Sequence, residues 1–145
     1  MKYLILICFI SLSIQNLTIA QEDLLFTDSN EAKEYAVDNG TNILMVFSGS
    51  DWCRPCIQLK KDILMNEEFL TTAKDKTAIL YLDFPSKKKN KLTKEQTDHN
   101  EMWAEKYNKS GSFPHIVLLD QDMNKLKDMK YSGQSVEEFL NELYE

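Results

Sequence analysis

The chain has 145 residues, 43% of them hydrophobic and 28% charged, which suits one domain with a substantial core and no repeat, low-complexity tract or second domain. Its formal net charge of −6 argues against nucleic acid as a partner. Three cysteines, Cys8, Cys53 and Cys56, are too few for a disulfide-stapled scaffold, so the core must hold together by packing.

Residues 1–20 read as a secretory signal peptide. Lys2 supplies a positive start, Tyr3 to Leu12 an apolar stretch, and Thr18-Ile19-Ala20 a small-residue cleavage site before Gln21. Ser11, Ser13, Gln15 and Asn16 interrupt the apolar run and make it a poor membrane span; an uncleaved N-terminal anchor is the alternative. Cleavage would remove Cys8 and the single charge of Lys2, leaving a domain over residues 21–145 with two cysteines and a net charge of −7. Export would place that cysteine pair where disulfides persist, such as a bacterial periplasm.

Residues 29–38 read as a helix, with Ala32, Tyr35 and Ala36 on one face and Gly40 as the stop. The apolar run 43–47, ending at Ser48-Gly49-Ser50, suits a central strand buried on both faces. Trp52-Cys53-Arg54-Pro55-Cys56 follows and leads into a helix over about 55–64, with Leu59, Ile63 and Leu64 toward the core. Two cysteines separated by two residues can close a small disulfide, and between strand and helix they read as a redox site. Zinc sites use the same spacing, but a four-cysteine zinc site needs a second pair, and Cys8 is the one other cysteine. A purely structural disulfide is the plainer alternative. As a redox site, Cys53 stands at the helix N-terminus, where unpaired N–H groups and the macrodipole favour a thiolate. The thiolate is the attacking species in disulfide exchange, and Cys56, one turn on, is placed to resolve the mixed disulfide.

The segment Phe47-Ser48-Gly49-Ser50-Asp51-Trp52-Cys53-Arg54-Pro55-Cys56 resembles the Trp-Cys-x-x-Cys active site of the thioredoxin superfamily. It is more closely similar to secreted bacterial thioredoxin-like proteins with Gly-Ser-Asp-Trp-Cys-x-x-Cys. The resemblance implies that Trp52 shapes the surface around the nucleophile, while Arg54 and Pro55 tune the couple. A cation beside Cys53 stabilises its thiolate, hence the reduced form, and shifts the pair toward oxidising behaviour. Pro55 matches the proline of thioredoxin's own Cys-Gly-Pro-Cys and resembles the reducing members. Pro55 carries more weight, because Arg54 can swing into water, where its field is screened. One departure stands out. Reducing thioredoxins carry a buried Asp on the preceding strand that assists proton transfer from the resolving cysteine, and the matching residue here is Val46. Asp51 and Asp83 are candidate substitutes, and transfer by water is the simpler expectation.

Asn66-Glu67-Glu68-Phe69 looks like a fresh helix start, with Asn66 as N-cap and Phe69 and Leu70 buried. Residues 77–84 form a second core strand. Residues 86–91 contain four lysines and read as a solvated turn, with a docking patch for an acidic partner as the alternative. Residues 93–107 return to helical spacing with Met102, Trp103 and Tyr107 inward, and His99 is expected at the surface. A strand over 116–120 turns at 120–124 into an edge strand over 126–131, which Gly133 breaks. Ser135-Val136-Glu137-Glu138 is a capping-box pattern opening a terminal helix with Val136, Phe139, Leu140 and Leu143 inward.

This order is that of the α/β thioredoxin fold, a mixed central β-sheet flanked by helices on both faces. The superfamily also has a cis-proline loop beside the cysteine pair, and Phe113-Pro114 matches it in position, although an ordinary trans proline starting a strand is the plain alternative. The resemblance implies that Phe113 and Pro114 present backbone to an extended substrate chain. His115 is expected as a half-buried strand residue rather than a member of the site. The expected activity is a thiol–disulfide oxidoreductase acting on protein disulfides in the reducing direction, monomeric and without a dissociable cofactor or metal. Its electrons would come from a membrane or soluble donor protein. The alternatives are a disulfide oxidase or isomerase, and a copper(I)-handling module built on Cys53 and Cys56.

Overall fold

Side chains alternate across the central strands and so build two cores, one on each face of the sheet. The computed structural model describes residues 24–145. The expected signal segment 1–20, with Cys8, lies outside the described residues. The five strands are β1 (Leu25–Phe26), β2 (Asn42–Ser48), β3 (Thr77–Asp83), β4 (His115–Leu119) and β5 (Lys125–Met129), in the spatial order β1-β3-β2-β4-β5. β1 and β2 run parallel to β3, whereas β4 is antiparallel to β2 and β5 to β4. The helices are α1 (Ser29–Asn39), α2 (Arg54–Leu59), α3 (Glu67–Ala73), α4 (Lys94–Tyr107) and α5 (Val136–Tyr144).

Leu44 and Val46 of β2, Ile79 and Tyr81 of β3, and Ile116 and Leu118 of β4 face one core, closed by Leu59, Ile63, Leu64, Phe69, Phe139 and Leu143 from the α2, α3 and α5 side. Ile43, Met45, Phe47, Ala78, Leu80, Leu82, Val117 and Leu119 face the other, covered by Ala32 and Ala36 of α1 and by Trp103 and Tyr107 of α4. Burial on both faces explains why 43–47 is continuously apolar rather than alternating.

The caps follow the sequence. Asp28 Oδ1 accepts from the backbone N–H groups of Asn30 and Glu31, and Gly40 ends α1 in the left-handed region at φ 64°. Asn66 and Thr93 cap α3 and α4, and Ser135 and Glu138 form the reciprocal capping box of α5. Three details differ from expectation. The helix over 55–64 is α-helical only to Leu59 and continues as a π-helical turn, Lys60–Leu64, closed by Met65 N–H donating to Lys60 O at 2.9 Å. This widened turn sets the adjacent Ile63 and Leu64 both in the core. Met102 is 52% exposed, because the inward face of α4 runs through residues 100, 103, 104 and 107, and residue 102 lies a step around the helix. His99 is half-buried rather than at the surface. Its Nε2 accepts from Ser29 N–H at 3.1 Å, so Nδ1 carries the proton and donates to Asn100 Oδ1 at 3.0 Å. It thereby ties the start of α1 to α4.

Candidate active site

β2 delivers the chain to a loop folded around one glycine. Trp52 and Cys53 both donate backbone N–H to Gly49 O, at 3.4 and 2.9 Å. The Trp52 indole lies so close over Gly49 that a Cβ there would stand 2.4 Å from a ring carbon. Trp52 Nε1 donates to Phe84 O at 2.8 Å, yet the residue is still 49% exposed. An aromatic side chain fixed in this way forms a rigid open surface beside the cysteines.

Cys53 is the N-cap of α2, with extended φ and ψ of −89° and 101°, and is bonded to Cys56 in a disulfide with an S–S distance of 2.11 Å. Cys56 N–H points at Cys53 Sγ, 3.3 Å away, a backbone donor of the kind that favours negative charge on a sulfur. The two sulfurs differ in access: Cys53 is 6% exposed and Cys56 1%. Pro55 occupies the first turn of α2, where its missing N–H leaves no helix bond unmade. Arg54 is exposed and has no ion-pair partner among the described residues.

The second segment lies immediately before β4 and leads into it. The Phe113–Pro114 peptide bond is cis. The Phe113 ring meets Trp52 edge-on with centroids 5.3 Å apart, and Phe84 at 5.4 Å. Residues separated by some sixty positions in sequence thus share one aromatic wall. His115 is half-buried, as its strand position implied, with its ring 5.8 Å from Phe47 and Nε2 3.7 Å from Asp128. No group of three or more His, Cys, Asp or Glu among the described residues could hold a metal ion.

The structure gives Asp51 and Asp83 a task that sequence reasoning missed. Asp83 Oδ1 accepts from Ser50 N–H at 2.9 Å and its Oδ2 from Ser50 Oγ at 2.6 Å, which locks the cysteine loop to the end of β3. Asp51 accepts from Ser86 N–H at 2.9 Å, Lys87 N–H at 3.0 Å and Asn90 Nδ2 at 2.8 Å. The Ser86 N–H above all, with Asn90 and Lys87, holds the Asp51 carboxyl below its ordinary value against a smaller opposing effect of desolvation. Both carboxylates serve as loop anchors. These bonds span 33 to 39 residues, so no local pattern could have announced them. Beneath the loop, Val46 is fully buried and pairs in register with Tyr81, whose hydroxyl lies 2.7 Å from Ser48 Oγ. Burial pushes the Tyr81 hydroxyl up from its ordinary value, the bond to Ser48 acts the other way, and the Asp83 charge adds to the rise. Lys60 Nζ stands 4.6 Å from the centre of the same ring.

The fold and the dithiol define a class. Residues 25–121 match the family described as thioredoxin-like, and the chain belongs to that family. Over 117 residues, 81% of this chain and 69% of the other, it is 32% identical to the disulfide bond reductase DsbH of Chlamydia pneumoniae. A solved structure of a DsbH oxidoreductase superposes with a TM-score of 0.74 at 29% identity, covering 86% of this chain and 85% of that one. A thioredoxin from Thermus thermophilus shares the fold with a TM-score of 0.61 at 17% identity, over 83% of this chain and 85% of that one. The protein is a thioredoxin-like thiol–disulfide oxidoreductase with its Cys-x-x-Cys pair at Cys53 and Cys56.

Proposed function

We propose that the protein is an exported reductase of protein disulfides. The observation that carries the mechanism is the unequal burial of the two sulfurs at the start of α2, with Cys53 the more accessible. In the reduced form, the Cys53 thiolate attacks one sulfur of a substrate disulfide. A Cys53–substrate bond forms, the substrate S–S bond breaks, and the released sulfur takes up a proton. Cys56 then gives up its proton and attacks Cys53 Sγ. The Cys53–Cys56 bond forms, the mixed disulfide breaks, and the second substrate thiol leaves. Two electrons have passed to the substrate, and a donor dithiol protein, in the membrane or soluble, returns them.

Trp52, Phe113 and Pro114 form the surface along which the partner chain lies, pairing briefly with exposed backbone as an added strand. The reducing direction is supported by Pro55 in the first turn of α2, by the solvent position of Arg54, where its charge is screened, and by the similarity to a disulfide bond reductase. Export rests on residues 1–20 as a signal that leaves a mature domain over 21–145, with retention as an N-terminal anchor the other form. Among the described residues no helix is long and apolar enough to cross a membrane.

Redox titration of the mature protein in dithiothreitol buffers, followed by thiol alkylation, tests the direction. A potential near the thioredoxin value of about −270 mV is expected, and one near about −120 mV would reverse the assignment to disulfide formation. Cys56→Ser should accumulate covalent mixed disulfides on Cys53, detectable on non-reducing gels. If Cys53 stays alkylatable in that variant but no partner is trapped, the exchange mechanism fails.

A further inference from the structure

We propose that the 86–91 loop is a basic docking surface for substrate polypeptides with acidic residues flanking the exchanging cysteine. The proposal rests on the disulfide-reductase reading and names its substrate class. The loop is joined to the cysteine loop rather than free of it. Asp51, two positions before Cys53, holds Ser86 N–H, Lys87 N–H and Asn90 Nδ2, and Trp52 Nε1 holds Phe84 O just upstream. A single 3₁₀ turn, Lys88–Asn90, shapes what lies between, so the lysines stand on a backbone anchored to the rim of the dithiol.

Charge at this rim is opposite to that of the molecule. The chain carries a net −6, yet no acidic residue lies between Asp83 and Glu95, or between Asp51 and Asp62. Lys87, Lys88, Lys89 and Lys91 are exposed, and none has an ion-pair partner among the described residues. Arg54 adds a further exposed cation beside Cys53. The neighbouring carboxylate, Asp51, is turned onto the backbone N–H groups of Ser86 and Lys87 and the Asn90 amide; it makes no ion pair with a lysine among the described residues, and the Lys87 charge is a minor influence on it. Four like charges held together repel one another, and a partner bearing carboxylates relieves that repulsion while its cysteine reaches Cys53. Such a field speeds encounter and sets the register of docking more than it adds affinity. A polypeptide is favoured over a lipid surface because the patch borders the exchanging sulfur and the exposed Trp52, where a substrate chain must lie.

The test compares two disulfide-containing peptides that differ only in having glutamates or glutamines on both sides of the cysteines. Their reduction by the full reduced protein is followed at low salt and at about 0.5 M salt, where screening is strong. The wild type should reduce the glutamate peptide about tenfold faster at low salt, despite its own net negative charge. That ratio should fall to about one at high salt and in K87Q/K88Q/K89Q/K91Q. The variant K33Q/K74Q/K76Q/K125Q, with four lysines changed toward the opposite end of the strands, should keep it. If both peptides are reduced without preference, or the two variants lose the ratio alike, the docking surface is wrong and the reductase reading stands. If neither peptide is reduced, the reductase reading fails and the docking surface with it. Sedimentation with phosphatidylglycerol vesicles that depends on these four lysines, without peptide preference, would assign the patch to a membrane and overturn the proposal.

Discussion

Gly49 is a residue whose missing side chain has a visible cause, because the space a Cβ would fill is taken by the Trp52 indole. Gly49→Ala should therefore displace Trp52, break its hydrogen bond to Phe84 O and destabilise the fold by about 1–3 kcal/mol. Chemical denaturation and the Trp52 emission spectrum, read in a Trp103→Phe background, would check this. An unchanged spectrum would mean that the indole is not held over Gly49. Single residues also show where sequence patterns stop. The pattern 52–56 locates the cysteine pair, whereas His99, read as a surface residue, is half-buried on Ser29 and Asn100. Histidine is amphipathic, and its partner Ser29 lies 70 positions away, so nothing nearby in the chain distinguishes the two placements.

At the scale of elements, two loops and a strand end are tied by carboxylates. Asp83 secures the cysteine loop through Ser50, and Asn100 of α4 donates to the Asp83 carbonyl at 2.8 Å, extending the tie into a helix. Asp51 secures the lysine loop, and its carboxyl is held below the ordinary value of 3.8. A carboxyl with a depressed folded-state pKa stabilises the fold fully above its unfolded value and loses that contribution as pH falls through the folded value. The amide resonances of Ser86 and Lys87 should therefore stay fixed from neutral pH down to about pH 4 and shift together below it. Asp51→Asn should abolish that shared titration. A midpoint above 3.8 would mean that the anchoring bonds do not favour the charged carboxylate. The same scale explains the π-helical turn, which joins α2 to α3 and buries Ile63 and Leu64 side by side.

For the whole molecule, the sheet order β1-β3-β2-β4-β5 places the ends of β2 and β3 and the start of β4 together, and with them Cys53, Asp83 and Pro114. The core beneath depends on contacts between distant helices. Phe69 of α3 and Phe139 of α5 are fully buried and meet edge-on at 5.8 Å. Phe139→Ala should cost about 3–5 kcal/mol, measured by urea denaturation, and a loss below about 1 kcal/mol would show that α5 contributes little to the core. By itself the sequence determined the cysteine pair, the central strands, the caps at Asn66 and Ser135, the stop at Gly40 and the edge hairpin, and with the motif at 47–56 the class of fold. Those features follow from periodicity, capping chemistry and a motif of adjacent residues, all of which are local. Only the tertiary structure decided that Asp51 and Asp83 are anchors, that Phe113 completes an aromatic wall with Trp52 and Phe84, and that the four-lysine loop stands at the rim of the dithiol. Each depends on hydrogen bonds or ring contacts between segments brought together by strand pairing, and a local pattern carries no record of which distant segment it will meet.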